Sequence, residues 1–124
     1  MPKHRILIVD DEPLARERVR AFLRSEANVD IIGECGDGPG ALAAIQDEQP
    51  DIVFLDVQIP GCDGLQVLDK LPVAGRPSVV LMTAHERFAV NATAGQVADF
   101  LLKPFDLERF RLALGRAIAW ISLD

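Results

Sequence analysis

Ile52-Val53-Phe54-Leu55-Asp56 is a run of apolar residues closed by a carboxylate, and Ile6-Leu7-Ile8-Val9 followed by Asp10-Asp11 has the same form. A strand that is apolar at consecutive positions is buried on both faces, as parallel strands are when helices cover the sheet on either side. The carboxyl ends of such strands share one edge, where open α/β sheets place their sites. Asp10, Asp11 and Asp56 are therefore expected to meet there. Like charges that close repel, and a divalent cation that prefers oxygen ligands, such as Mg²⁺, is what keeps them ionised.

Outward from these two strands, the chain reads as five βα repeats. Pro13 suits the first position of a helix, and Leu14, Val19, Phe22 and Leu23 give it an apolar stripe to about Ser25. Val29 to Gly33 reads as a second strand. Asp37-Gly38 opens a helix through Ala41, Leu42 and Ile45 towards Glu48, ended by Pro50. After Asp56 come the loop Val57 to Gly64 and a short helix from Leu65 to Leu71. Val79 to Met82 is a fourth strand with Thr83 at its end, followed by a weakly patterned helix from about Arg87 to Ala94. Phe100-Leu101-Leu102 is the fifth strand, closed by Lys103-Pro104. Phe110, Leu114, Ile118 and Ile121 mark a last helix from Leu107. Alternating strands and helices imply one α/β domain over 1–124, a doubly wound five-stranded parallel sheet of flavodoxin-like (βα)5 topology.

Composition bounds the function. The chain has 124 residues, is 49% hydrophobic and 26% charged, and carries a net charge of −6. That charge argues against nucleic-acid binding by this domain alone, because DNA affinity rests on Lys and Arg neutralising phosphates. No segment approaches a membrane span, and Met1 to Arg5 lead straight into a short strand, so a soluble cytoplasmic domain is expected. Cys35 and Cys62 lack metal-ligand spacing and read as buried or bystander thiols rather than a disulfide or zinc pair.

Asp10, Asp11, Asp56, Thr83 and Lys103 all fall at strand carboxyl ends. With Asp10-Asp11-Glu12, Asp56 with Pro60-Gly61 behind it, Thr83-Ala84 and Lys103-Pro104-Phe105 in this order and spacing, the whole chain resembles the receiver domain of bacterial two-component response regulators. Asp10 to Arg16 and Ala98 to Phe105 look most like regulators whose output is a LytTR-type DNA-binding domain, absent from this sequence.

The resemblance implies a set of roles. Asp56 accepts a phosphoryl group from the phosphohistidine of a sensor histidine kinase, and Mg²⁺ is held by Asp10, Asp11, Asp56 and the backbone carbonyl of Gln58. Lys103, the Thr83 hydroxyl and the Ala84 backbone N–H stabilise the phosphoryl group. Thr83 and Phe100 form a switch, Lys103-Pro104 is a cis peptide, and Gln58 and His85 tune the phosphoryl lifetime. The output surface is the face of the fourth helix, fifth strand and last helix, used for a homodimer or an output domain. There the last helix turns Leu112, Arg116, Ala119 and Trp120 outward unless Trp120 folds back over the core. Asp99 is available for an ion pair across such a dimer, but Ala113 stands where its partner is expected.

Each residue also has a plainer reading. Asp10-Asp11 beside a helix start could be only an N-cap. Thr83 could simply end a strand, Lys103 could be a solvated lysine, and Phe100 could be core, switch or both. Other classes fit the pattern less well. A haloacid-dehalogenase-like phosphatase carries its nucleophile on the first strand in an Asp-x-Asp pattern, which is not the pattern here. A flavodoxin-like FMN carrier needs a Ser/Thr/Gly-rich phosphate loop after the first strand, where Asp10-Asp11-Glu12-Pro13 would repel phosphate. A receiver used for docking without phosphorylation remains the alternative. On this reading the domain is a phosphoacceptor and not a turnover enzyme.

Overall fold

The computed structural model describes residues 3–72, 74–86 and 96–122. Strands β1 (His4–Val9), β2 (Val29–Cys35), β3 (Ile52–Asp56), β4 (Ser78–Thr83) and β5 (Asp99–Leu102) form one sheet in the order β2-β1-β3-β4-β5. Every neighbouring pair is parallel. Helices α1 (Pro13–Leu23), α2 (Gly38–Glu48) and α3 (Gly64–Asp69) and the C-terminal helix (Leu107–Ser122) follow their strands. The helix expected at about Arg87 to Ala94 lies outside the described residues.

Side chains alternate across a strand with period two, and here both sets are buried. Ile6, Ile8, Ile52, Phe54, Val80, Met82 and Leu101 pack with Val19, Leu23, Phe110 and Leu114, on the face covered by α1 and the C-terminal helix. Leu7, Val9, Val53, Leu55, Val79 and Leu81 pack with Ala41, Ile45, Val67 and Leu68, on the face covered by α2 and α3. Phe110 anchors the first core, its ring centroid 5.0 Å from that of Phe54 and 5.2 Å from that of Phe22.

Boundaries moved where pairing or capping overrode pattern. Strand β2 runs on to Cys35 because Val9 pairs with Cys35, with a register shift that leaves Ile32 between Ile31 and Gly33. Helix α3 starts at Gly64 because Asp63 and Gln66 form a capping box. Phe110 and Leu114 point inward as expected, and Leu112, Arg116 and Ala119 are exposed. Trp120 does not stand outward with them. It is half-buried and lines a groove with Ile45, Pro50 and Arg76 at the amino ends of the strands.

Candidate functional site

The alternation that builds the two cores also aims the site. Asp10 continues the parity of Ile6 and Ile8, Asp56 that of Ile52 and Phe54, and Lys103 that of Leu101, so all three emerge on the face of α1 and the C-terminal helix. Backbone pairing holds the strand ends in register. Asp10 N donates to Cys35 O at 3.0 Å, Val57 N to Met82 O at 2.9 Å and Lys103 N to Thr83 O at 2.7 Å.

Lys103 Nζ donates to Asp10 Oδ2 at 2.7 Å and to Asp56 Oδ2 at 3.1 Å. The second oxygen of each carboxylate takes a backbone N–H: Glu12 N donates to Asp10 Oδ1 at 3.0 Å, and Gln58 N to Asp56 Oδ1 at 3.1 Å. Asp10 and Asp56 are buried and Asp11 is exposed, yet carboxylate oxygens of the three lie within 4.8 Å of one another. The N-cap reading of Asp10-Asp11 is not what forms. Glu12 is the N-cap of α1, without a side-chain cap bond.

Burial pushes the Asp56 carboxyl up to about 6, with the Asp10 charge adding to it and the Gln58 N–H and Lys103 pulling the other way. Burial would lower Lys103, but its bonds to Asp10 and Asp56 outweigh that and hold the ammonium above its ordinary range. One lysine thus compensates two buried acids, while Asp11 adds a third negative charge at the rim. Oxygen donors carrying surplus negative charge are the donor set of a hard divalent cation.

Thr83 is fully buried, on the opposite parity, with Leu81. Its Oγ1 accepts from His85 N at 3.0 Å, so the hydroxyl is engaged with its own loop. Phe100 packs half-buried on the same face, and Leu81 is its partner in the sheet register. Ala84, His85 and Gln58 are exposed around the mouth. The Lys103-Pro104 peptide is cis.

Sequence reasoning did not foresee two features. Asp99, read as available for a partner, is instead held within the chain: Arg109 donates to both of its oxygens at 2.8 and 3.1 Å, and Arg116 Nη1 stands 3.1 Å away. Arg109 and Arg116 are seven apart on one helix and so share a face, a spacing that could have signalled this clamp. The second is Arg16, whose guanidinium donates to the Asp10 carbonyl at 2.6 Å.

Residues 6–115 match the family model of the response regulator receiver domain. The chain belongs to that family. Among curated proteins, this receiver domain is 40% identical over 112 residues to the transcriptional regulatory protein BtsR of Escherichia coli K12, covering 90% of this chain and 47% of BtsR. It is 42% identical over 110 residues to an uncharacterized response regulatory protein of Shewanella oneidensis, covering 89% and 47%. The receiver domain thus spans about half the length of these relatives. Among solved structures, the response regulatory domain of mrkE from Klebsiella pneumoniae superposes with a TM-score of 0.87 at 28% identity, covering 97% of this chain and 99% of that one. The receiver domain of the putative response regulator NarL from Mycobacterium tuberculosis does so with 0.78 at 34%, covering 93% and 99%.

Proposed function

We propose that Asp56 is the phosphoacceptor of this receiver domain. The observation that carries this reading is the bridge of Lys103 between Asp10 and Asp56, beside the Asp10, Asp11 and Asp56 oxygen cluster. An ionised Asp56 oxygen attacks the phosphorus of a kinase phosphohistidine, forming the O–P bond as the P–N bond breaks. A carboxylate needs no general base for this. Phosphoryl transfer is chiefly positioning and charge stabilisation, and the two N–H donors that orient Asp56, from Gln58 and Lys103, supply the first. Mg²⁺ held by Asp11, Asp56 and the Gln58 backbone carbonyl, with Asp10 partly through water, would neutralise the phosphoryl oxygens.

Lys103 keeps its bond to Asp10 while pairing with a phosphoryl oxygen. The Thr83 hydroxyl and the Ala84 N–H complete the phosphoryl contacts when Thr83 leaves the His85 amide. That movement vacates space on the side where Phe100 packs, and a local hydrogen bond so biases a two-state packing arrangement. Gln58 and His85, exposed beside the site, tune the lifetime of the aspartyl phosphate. The output is control of transcription, supported by the name of the transcriptional regulatory protein BtsR and by the length of that relative beyond the match; a LytTR-type DNA-binding domain is the output module this reading assigns on the sequence resemblance alone. Among the described residues no helix is long and apolar enough to cross a membrane, and a cytoplasmic setting fits the reading. Borohydride reduction of the phosphorylated domain, followed by peptide mapping, tests the acceptor: homoserine is expected at position 56, and homoserine elsewhere with unchanged Asp56 refutes the assignment.

A further inference from the structure

We propose that Arg16, braced by Glu34, is a positioning residue for the metal site, an inference that rests on the site reading above. Strand β1 ends at Val9, and the turn that follows must present Asp10 and Asp11 in one orientation. The Asp10 amide is fixed by Cys35 O, and the Asp10 side chain is fixed by Lys103 and the Glu12 amide. Its carbonyl is held by Arg16 Nη1 at 2.6 Å. Asp11 lies between these fixed points, so they set the direction in which its Cα–Cβ bond leaves the backbone.

Arg16 is itself held. Its Nε donates to Glu34 Oε1 at 3.1 Å, and Arg20 Nη1 lies 2.6 Å from both Glu34 oxygens. The guanidinium crosses over Gly36, where an added Cβ would stand 3.7 Å from Arg16 Nη1 and 4.0 Å from Asp11 Cα. Arg16 and Glu34 side chains are 22% and 26% exposed. A pair this sheltered is screened less than an exposed one, so the strut can hold a fixed geometry. A guanidinium stays charged at any working pH, and a cation near a metal site repels the metal. Electrostatics alone therefore predicts tighter metal binding when Arg16 is removed. Positioning predicts weaker binding.

Titration of the metal-free domain with Mn²⁺, read by electron paramagnetic resonance, separates the two by sign. Arg16→Gln is expected to weaken Mn²⁺ binding by about tenfold or more, the usual effect of losing an outer partner of metal ligands. Arg16→Lys, which keeps a donor for the carbonyl, recovers part of it. Arg20→Gln removes the same charge from the same helix and one grip on Glu34 but leaves the Arg16 bond to the Asp10 carbonyl, and is expected to lose clearly less than Arg16→Gln does. Parent-like or tighter binding by Arg16→Gln, or an equal loss in Arg20→Gln, overturns the proposal. A parent that binds Mn²⁺ regardless of Asp11→Asn, or not at all, overturns the site reading and this inference with it.

Discussion

Lys103 is anchored by Asp10, at 2.7 Å, more closely than by Asp56, at 3.1 Å. Asp10 is fully buried with both oxygens bonded, so it is a fixed base from which the ammonium reaches Asp56. Lys103→Met leaves two buried carboxylates and exposed Asp11 without their shared cation. Removing one partner of a buried pair costs about 3–5 kcal/mol. Lys103 is 20% exposed and Asp56 can take up a proton, so a loss nearer 1–3 kcal/mol in metal-free buffer is expected. Asp11→Ala removes a like charge instead and should preserve or raise metal-free stability. Urea denaturation with chelator measures both, and a metal-free Lys103→Met as stable as the parent removes the neutralising role.

The raised Asp56 carboxyl has a definite sign in pH. It binds its proton more tightly folded than unfolded, so between its ordinary 3.8 and about 6 the folded state holds more protons. The contribution of this group to stability therefore falls as pH rises through that window, and levels off above it. Thermal unfolding of the metal-free domain, parent against Asp56→Asn, reads the slope as a difference: the variant should gain relative to the parent as pH rises. A difference that is flat across the window, or of opposite sign, contradicts the desolvation of Asp56.

Backbone approach at Gly64 fixes the loop on the other side of Asp56. A Cβ there would stand 2.5 Å from the Asp56 carbonyl oxygen and 2.8 Å from Val57 Cα, and Gly64 N donates to Val57 O at 2.7 Å. Gly64→Ala must displace the loop that carries Gln58, and is expected to cost about 1–3 kcal/mol, as overpacking does, and to slow phosphorylation. Gly115→Ala, in an exposed helical position with nothing within 4 Å of the new Cβ, should stabilise by about 0.5–1 kcal/mol. Equal effects from the two substitutions in chemical denaturation would show that the approach at Gly64 is not limiting.

Leu102, Leu107 and Leu112 are exposed on β5 and the C-terminal helix, at 43%, 40% and 49%. Asp99, at the start of β5, is engaged by Arg109 and Arg116. Although burial opposes it, the Arg109 bonds hold its carboxyl below the usual range. A homodimer on this face would therefore rest on apolar contact and respond little to moderate salt. Sedimentation of the beryllofluoride-treated domain should show a dimer that Leu112→Asp disrupts. A monomer throughout, or a dimer indifferent to that change, excludes this surface.

Apolar runs closed by acids were enough to read the sheet, because strands buried on both faces leave an unbroken hydrophobic signature. Asp10, Asp56 and Lys103 were legible for the same reason: period-two alternation carries a strand-end residue to a definite face. What the sequence hid depends on side-chain reach. The Asp99 clamp requires knowing that Arg109 and Arg116 lie over β5, and Trp120 could not be placed until the groove at the opposite end of the sheet was seen. Arg16 gives no sequence signal for its place beside the site because its partner is a backbone carbonyl, which has no sequence signature.

The central claim is that the carboxylate closing β3 accepts the phosphoryl group. Incubation with acetyl phosphate and Mg²⁺, followed by intact mass, tests it most directly. The parent should gain one phosphoryl group, and that gain should vanish in Asp56→Asn and when metal is chelated. No gain in the parent, or the same gain in Asp56→Asn, would contradict the account.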